Sequence, residues 1–339
     1  MTKRMAVLGA GGIGSCIGAD LTRAGHQVLL IDQWPAHVEA MKNQGLRVAL
    51  RGQEFQVPVQ ALHLCELASL TPELDIVFLS VKSYDTRWMV ELIKPYLKSE
   101  GVLVSTQNSL NDEWIAPAIG YGRDIGCAFE LSAEVLAPGV VKRNTDYAVT
   151  RFVLGELHGR ITRRVQDTAA ILRAVGHTEV TTNIWGAKWS KLVLNTMSMA
   201  LSTIGGLRSW ELAQNPRYLA LAVKLGRETV NVGAALGYAL EPLAGLLPAK
   251  DLSCPTDEEL QQLMLNLVAD VGKEARNAML QDQTRGRLTE VAYLNGLVAM
   301  KGREVNTPTP FNDKVTALVK QIEQGHLKPD VANLDMLEA

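Results

Sequence analysis

Apolar and polar positions along the first half of the chain fall in blocks whose period switches between that of a strand and that of a helix. Met5–Leu8 is a short apolar run, and Gly9-Ala10-Gly11-Gly12-Ile13-Gly14 follows at once. Ile13–Ala24 has helical spacing, and Gln27–Ile31 is a second apolar run closed by Asp32. The pattern then predicts a helix near Ala36–Gln44, a strand pair around Leu46–Val59, a core strand Asp75–Val81, a helix Thr86–Leu97 and a strand Gly101–Thr106. Segments near Cys127–Leu131, Val140–Val141, Tyr147–Leu154 and Thr178–Thr181 predict further strands that extend or close the sheet. Continuous apolar strands alternating with helices define an α/β class, a parallel sheet covered on both faces. From about Trp185 long helical patterns take over. The expected organisation is residues 1–183 as a dinucleotide-binding sheet domain, 184–326 as an all-helical domain, and 327–339, short and polar, as a loosely held tail.

The spaced glycines have distinct physical tasks. Gly9 permits a tight turn after the strand, Gly11 lets the backbone approach a pyrophosphate, and Gly14 lets the helix pack close to the sheet. Gly12 and Ile13 open that helix, whose N-terminus presents N–H groups and a positive dipole end to phosphates. Asp32 lies 18 residues after Gly14, where the second strand should end. A carboxylate there accepts hydrogen bonds from the adenosine ribose hydroxyls, whereas a 2′-phosphate would meet a negative charge. Gln33, Trp34 and Pro35 supply no Arg or Lys to offset it, and the nearest downstream Lys or Arg is Lys42. The expected cofactor is NAD, with NADP disfavoured.

Composition narrows the function classes. At 339 residues the chain is long for one core. A formal charge of −2 gives no electrostatic reason to expect nucleic acid or an anionic membrane as partner. No uncharged apolar run approaches the roughly 20 residues of a membrane span. Met1-Thr2-Lys3-Arg4 leads straight into the first strand, so these residues are not expected to act as a signal peptide. Cys16, Cys65, Cys127 and Cys254 are scattered without CxxC spacing, and the histidines pair with nothing at ligand spacing. These features predict a cytoplasmic chain with reduced thiols and no metal site.

Candidate chemistry falls in three places. Lys82 and Asn108 each end an apolar run, and in open parallel sheets ligands bind in the crevice beyond the carboxyl ends of the strands. Both are therefore expected to share a crevice with the Gly9–Gly14 turn. Within the apolar stretch Ala187–Ile204, Lys191, Asn195, Ser198 and Ser202 recur at spacings of four, three and four, one polar stripe on a helix. An inward ammonium is costly unless it faces a cleft or a partner. Further on, Met279-Leu280-Gln281-Asp282 is expected to end one helix, Gly286 to break the pattern, and Leu288–Val291 to open another with Glu290 in its first turn.

Taken together these residues resemble the ketopantoate reductase (2-dehydropantoate 2-reductase) family. The resemblance runs through Gly9–Gly14, Val81-Lys82, Gln107-Asn108, Pro138-Gly139-Val140, Trp189–Asn195, Met279–Asp282, Gly286–Glu290 and Leu294-Asn295-Gly296. It implies a Rossmann-type domain plus an all-helical domain like the C-terminal one of 6-phosphogluconate dehydrogenases, with the active site in the cleft between them. By the same resemblance Lys191 would be the general acid, with Glu290 and Asn108 beside it in the catalytic set, while Lys82 and Asn108 would hold cofactor and substrate. Asn195, Ser198 and the positions of Met199 and Ala278 would line the substrate. The chain departs from the family pattern at four places: Met199 replaces a second Asn, Ala278 replaces a Ser, Ser109 replaces a Gly, and no basic residue accompanies Asp32. The resemblance implies hydride transfer between a nicotinamide and a 2-oxo acid/2-hydroxy acid pair, with a homodimer as the expected assembly. A mandelate-type 2-hydroxyacid dehydrogenase acting on a bulkier apolar oxo acid, or a non-catalytic NAD-binding regulator, are the alternatives.

Overall fold

The computed structural model describes residues 3–71, 73–242 and 255–338, so Cys254 lies outside the described residues. The chain divides into two compact units, Met1–Trp185 and Gly186–Ala339. In the first, the chain runs through β1 (Met5–Leu8), α1 (Gly12–Arg23), β2 (Val28–Asp32), α2 (Pro35–Gln44), β3 (Leu46–Leu50), β4 (Gln53–Val57), β5 (Gln60–His63) and β6 (Leu74–Leu79). It continues through α3 (Thr86–Ile93), β7 (Leu97–Ser105), α4 (Asp112–Ile119), β8 (Asp124–Glu130), β9 (Ala133–Ala137), β10 (Val140–Arg143), β11 (Arg151–Glu156), α5 (Arg163–Leu172) and β12 (His177–Val180).

The main sheet has the order β12-β11-β8-β7-β6-β1-β2-β5. Neighbours from β8 to β5 pair in parallel, and the sheet reverses once, where β11 pairs antiparallel with β8. Alternate residues of one strand enter different cores. Met5 and Val7 of β1 pack with Cys16, Ile17 and Leu21 of α1. Ala6 and Leu8 pack with Met89, Val90 and Ile93 of α3 and Ile115 of α4. Strands buried on both faces explain why they read as unbroken apolar runs.

Not every strand joins that sheet. β3, β4, β9 and β10 form a second sheet of order β4-β3-β10-β9, so the segments around Leu46–Val59 and Val140 do not extend the first. A buried ion pair links this sheet to α1: Arg143, fully buried, meets Asp20, and its guanidinium also donates to the Thr145 carbonyl (3.0 Å), the Thr150 hydroxyl (2.8 Å) and the Val175 carbonyl (2.8 Å). The Tyr147 hydroxyl donates to Asp20 (2.6 Å), and burial together with that carboxylate pushes the phenol up to about 12.

The second unit is helical: α6 (Ile184–Gly205, which starts in the last residues of the first unit), α7 (Ser209–Ala213), α8 (Pro216–Ala235), α9 (Asp257–Val271), α10 (Ala278–Thr284), α11 (Asn295–Glu304) and α12 (Pro310–Glu323). α6 and α8 approach closely through glycine. A Cβ on Gly226 would lie 2.7 Å from the Met197 sulfur, and one on Gly233 would collide with the Trp189 indole. The Trp189 Nε1–H also donates to the Thr229 carbonyl at 2.9 Å, which fixes the rotation of α6.

Residues 327–338 differ from the expected loose tail. Val331–Leu337 forms a 3-10 turn whose Leu334 and Leu337 are buried. The Asp330 N–H donates to the Ile204 carbonyl at 3.0 Å, and Arg217 pairs with both Asp335 and Glu338. The Arg217 ion pairs, one backbone hydrogen bond and two buried leucines dock it. Burying one such side chain contributes about 1.5–3 kcal/mol.

Candidate functional site

In the first unit, four strand ends lie at one level of the sheet. Leu8 pairs with Leu79 and with Ile31, and Leu79 pairs with Ser105. The chain therefore leaves the sheet together at Gly9, Ser80, Thr106 and Asp32. At Gly9 φ is +97°, a conformation that L side chains resist, and a Cβ there would lie 2.7 Å from the Val81 side chain. A Cβ on Gly14 would run into the Gly9 carbonyl oxygen. At Gly12 it would lie 2.8 Å from the Ala133 carbonyl of β9. Gly11 is different: nothing lies within 4 Å of where its Cβ would stand. The turn is thus closed against protein on three sides and open at the one glycine assigned to a pyrophosphate, with α1 beginning at Gly12. These residues fit a dinucleotide.

Asp32 ends β2 and is half-buried. One carboxylate oxygen accepts the Ala10 N–H at 2.7 Å, and the other accepts the Trp34 N–H at 2.8 Å. Each oxygen keeps a lone pair for a further donor. Lys42 is held elsewhere, with Nζ 2.7 Å from Glu66 and 3.4 Å from Glu39.

Lys82 and Asn108 stand three residues beyond the ends of β6 and β7, both half-buried. Two buried amides bolt their loops together. The Gln107 side-chain NH2 donates to the Val81 carbonyl and the Thr86 hydroxyl, each at 2.8 Å. The Asn111 side-chain NH2 donates to the Asn108 carbonyl (2.7 Å) and the Ser83 hydroxyl (3.1 Å). Sequence reasoning assigned neither a role: Gln107 entered only through the resemblance and Asn111 not at all, although a polar amide just past the end of an apolar run was the signal. Ser109, the departure beside Asn108, has φ +74°, so the position that asks for glycine carries a side chain in a disfavoured conformation.

In the second unit, every residue of α6 between Gly186 and Gly205 is buried except Lys191 and Met199. The polar stripe is therefore not a solvated face. Asn195 is buried, Ser198 donates to the Leu194 carbonyl of its own helix (3.1 Å), and Ser202 lies 3.4 Å from the Ser209 hydroxyl. Lys188, one turn before Lys191, is 2% exposed and had drawn no attention in the sequence.

Glu290 does not lie in the first turn of a helix. It is buried and precedes a single 3-10 turn, Val291–Tyr293, with α11 starting at Asn295. The backbone at Leu294 (φ −111°, ψ −92°) interrupts what the spacing read as one helix. So short a turn offers no appreciable dipole, and the segment is held instead by Thr289, whose N–H and hydroxyl donate to Glu323 at 2.7 and 2.6 Å. Met279–Asp282 falls inside a short α10 rather than at the end of a long helix, and the half-buried Ala278 is its first residue. Among the described residues no three His, Cys, Asp or Glu side chains come together as a metal group, and no helix is long and apolar enough to cross a membrane.

A Rossmann-like sheet with an open glycine turn, joined to a helical unit carrying a half-buried lysine on a buried helix, defines the class of two-domain nicotinamide-nucleotide oxidoreductases. The comparisons specify it further. Residues 5–158 match the family described as Ketopantoate reductase PanE/ApbA, and residues 183–323 match its C-terminal family. The chain is 30% identical over 317 residues to the 2-dehydropantoate 2-reductase of Pyrococcus abyssi, covering 93% of this chain and 96% of that one. It is similar to the crystal structure of a PanE/ApbA family ketopantoate reductase from Ralstonia eutropha, with 28% identity, a TM-score of 0.79 and coverage of 95% and 99%. The ternary structure of D-mandelate dehydrogenase with NADH and anilino(oxo)acetate shares the fold, with a TM-score of 0.83 at 23% identity and coverage of 95% and 99%. The chain belongs to the ketopantoate reductase family, and it is an oxidoreductase that acts on a CH–OH group.

Proposed function

We propose that the protein reduces a 2-oxo acid to its 2-hydroxy acid with NADH, with Lys191 as the general acid. The observation that carries the chemistry is the burial pattern of α6: between Gly186 and Gly205 only Lys191 and Met199 are half-buried, and Lys191 is the one of the two that carries a proton to give. The nicotinamide, when bound, supplies a hydride. Hydride addition to the substrate carbonyl creates an alkoxide, and the Lys191 ammonium both stabilises that charge as it develops and delivers the proton to the oxygen. Asn195, one turn along, is assigned to the substrate. The buried carboxylate of Glu290 suits a substrate hydroxyl as donor. Lys82 and Asn108, on loops fixed by Gln107 and Asn111, are assigned to cofactor and substrate.

The preference for NAD rests on Asp32. Its carboxylate is clamped by two backbone N–H groups and cannot swing aside for a 2′-phosphate, and the nearest downstream Lys, Lys42, is engaged by Glu66. A second reading concerns the substrate alone. Met199 is half-buried on the accessible side of α6 and Ala278 is half-buried at the start of α10, where the family pattern has polar residues. A site that has lost two such partners favours a less hydroxylated, bulkier oxo acid, because a buried polar group left unmatched costs about 1–3 kcal/mol. The test is oxidation of NADH and NADPH by the purified protein against a panel of 2-oxo acids that includes ketopantoate. Turnover of ketopantoate with NADH is the expected result, and preference for an apolar oxo acid selects the second reading. No turnover with any oxo acid would overturn both.

A further inference from the structure

We propose that His37 is a positioning residue of the nucleotide-binding turn, tying the Ala10 carbonyl inside the turn to Gly139 of the second sheet only while its imidazole is neutral. The proposal rests on the reading of the Gly9–Gly14 turn as the nucleotide site. His37 sits in the first turn of α2 and is 1% exposed. The Gly139 N–H donates to Nδ1 at 2.9 Å, so Nδ1 carries no proton. The proton of the neutral ring is then on Nε2, which lies 2.9 Å from the Ala10 carbonyl oxygen and 3.4 Å from the Ser15 hydroxyl. Ser15 donates to that same carbonyl at 2.7 Å. Trp34 stacks on the ring with centroids 5.5 Å apart.

The Ala10 residue is thus held from both ends: its N–H by Asp32 and its carbonyl by His37 and Ser15. The direction of the turn's N–H groups follows from that grip, and an anion site built on backbone donors works only when they are aimed beforehand. A protonated ring undoes the arrangement, because Nδ1–H would then point at the Gly139 N–H. The groups facing the ring are the Asp32 carboxylate from β2, Ser15 from α1, Trp34 beside its own helix and Gly139 from the β9–β10 turn. Burial holds the imidazole below its ordinary value of 6.5, against the opposing pull of Asp32 and the Ala10 carbonyl. A lowered value means that the brace is intact above 6.5 and is lost as pH falls through the depressed value.

The experiment is a fluorescence titration of NADH and NADPH binding from about pH 8 down to about pH 5.5, on the wild type, His37→Gln and His37→Ala, with kcat and KM measured in parallel. His37→Gln keeps a donor and an acceptor but cannot titrate. The wild-type Kd is expected to rise about two- to fivefold toward the acid end, with kcat at saturating nucleotide unchanged. His37→Gln is expected to bind within about threefold of wild type at the upper pH and to lose the acid rise. His37→Ala is expected to bind roughly tenfold more weakly throughout. An identical acid rise in wild type and His37→Gln would overturn the role of His37 alone, as would unchanged affinity in His37→Ala. A wild type that binds neither nucleotide at the upper pH would overturn the nucleotide site and the brace with it.

Discussion

Asp32→Asn isolates what the carboxylate contributes, because the side chain keeps its shape and loses its charge. In the native protein its two oxygens accept the Ala10 and Trp34 N–H groups at 2.7 and 2.8 Å. An asparagine can accept only one of these, and its NH2 then faces the other N–H. The loss of one charge-assisted hydrogen bond amounts to about 1.5–3 kcal/mol. Because Ala10 lies in the turn, that loss is expected to appear as a fall in nucleotide affinity of roughly ten- to a hundredfold for both cofactors. A 2′-phosphate gains something that NADH does not. Two like charges near a protein surface repel by a few kcal/mol at contact range, and screening leaves about 1–2 kcal/mol of that to be relieved. The ratio of kcat/KM for NADPH to that for NADH is therefore expected to rise roughly tenfold, although both absolute values fall. Steady-state kinetics with each cofactor at low ionic strength measure it. A ratio that stays within about twofold of wild type would refute the assignment of Asp32 to cofactor discrimination.

Other perturbations test other parts of the structure. Lys191→Ala is expected to lower kcat by about 10²–10⁴-fold while nucleotide affinity stays near wild type, and a loss of only a few-fold would remove Lys191 from the proton transfer. Thr289→Val takes away the hydroxyl that holds the segment before Glu290 to Glu323, and it is expected to raise substrate KM more than it lowers kcat. Arg143→Met leaves Asp20 buried without its guanidinium, a loss of about 3–5 kcal/mol read by urea denaturation, and Asp20→Leu in the same chain is expected to restore part of it. Leu334→Ala is expected to cost about 2–4 kcal/mol and to expose the final residues to limited proteolysis, which a loosely held tail would not show. Iodoacetamide is expected to label the exposed Cys65 in the native protein and to spare Cys16, a thiol that burial pushes up to about 12, as peptide mass mapping can check.

What could be read from the chain was what local chemistry enforces. The glycine turn was legible because two of its glycines answer to constraints within one strand–turn–helix unit, Gly9 to its own positive φ and Gly14 to the Gly9 carbonyl, whereas Gly12 answers to Ala133 of β9, far away in sequence. The same holds for Asp32, whose place at the end of β2 follows from the length of an apolar run. What was not legible depends on residues far apart in sequence. β5, which supplies the edge of the main sheet, is four residues long with only two apolar side chains, too few for a period to show. β9 pairs with β10, and β10 with β3, rather than with the main sheet, a choice made by a partner about 90 residues away. Glu290 was placed in a helix because its neighbours have helical spacing, yet Thr289 is bound to Glu323 and the backbone at Leu294 turns out of the helical region. Periodicity registers which side a residue faces and is blind to such anchors. The residues that aim the site, Gln107, Asn111, His37 and Thr289, each make at least one hydrogen bond to a group more than 20 residues away. An apolar pattern records burial, whereas positioning depends on which buried polar atom meets which, and only the folded chain decides that.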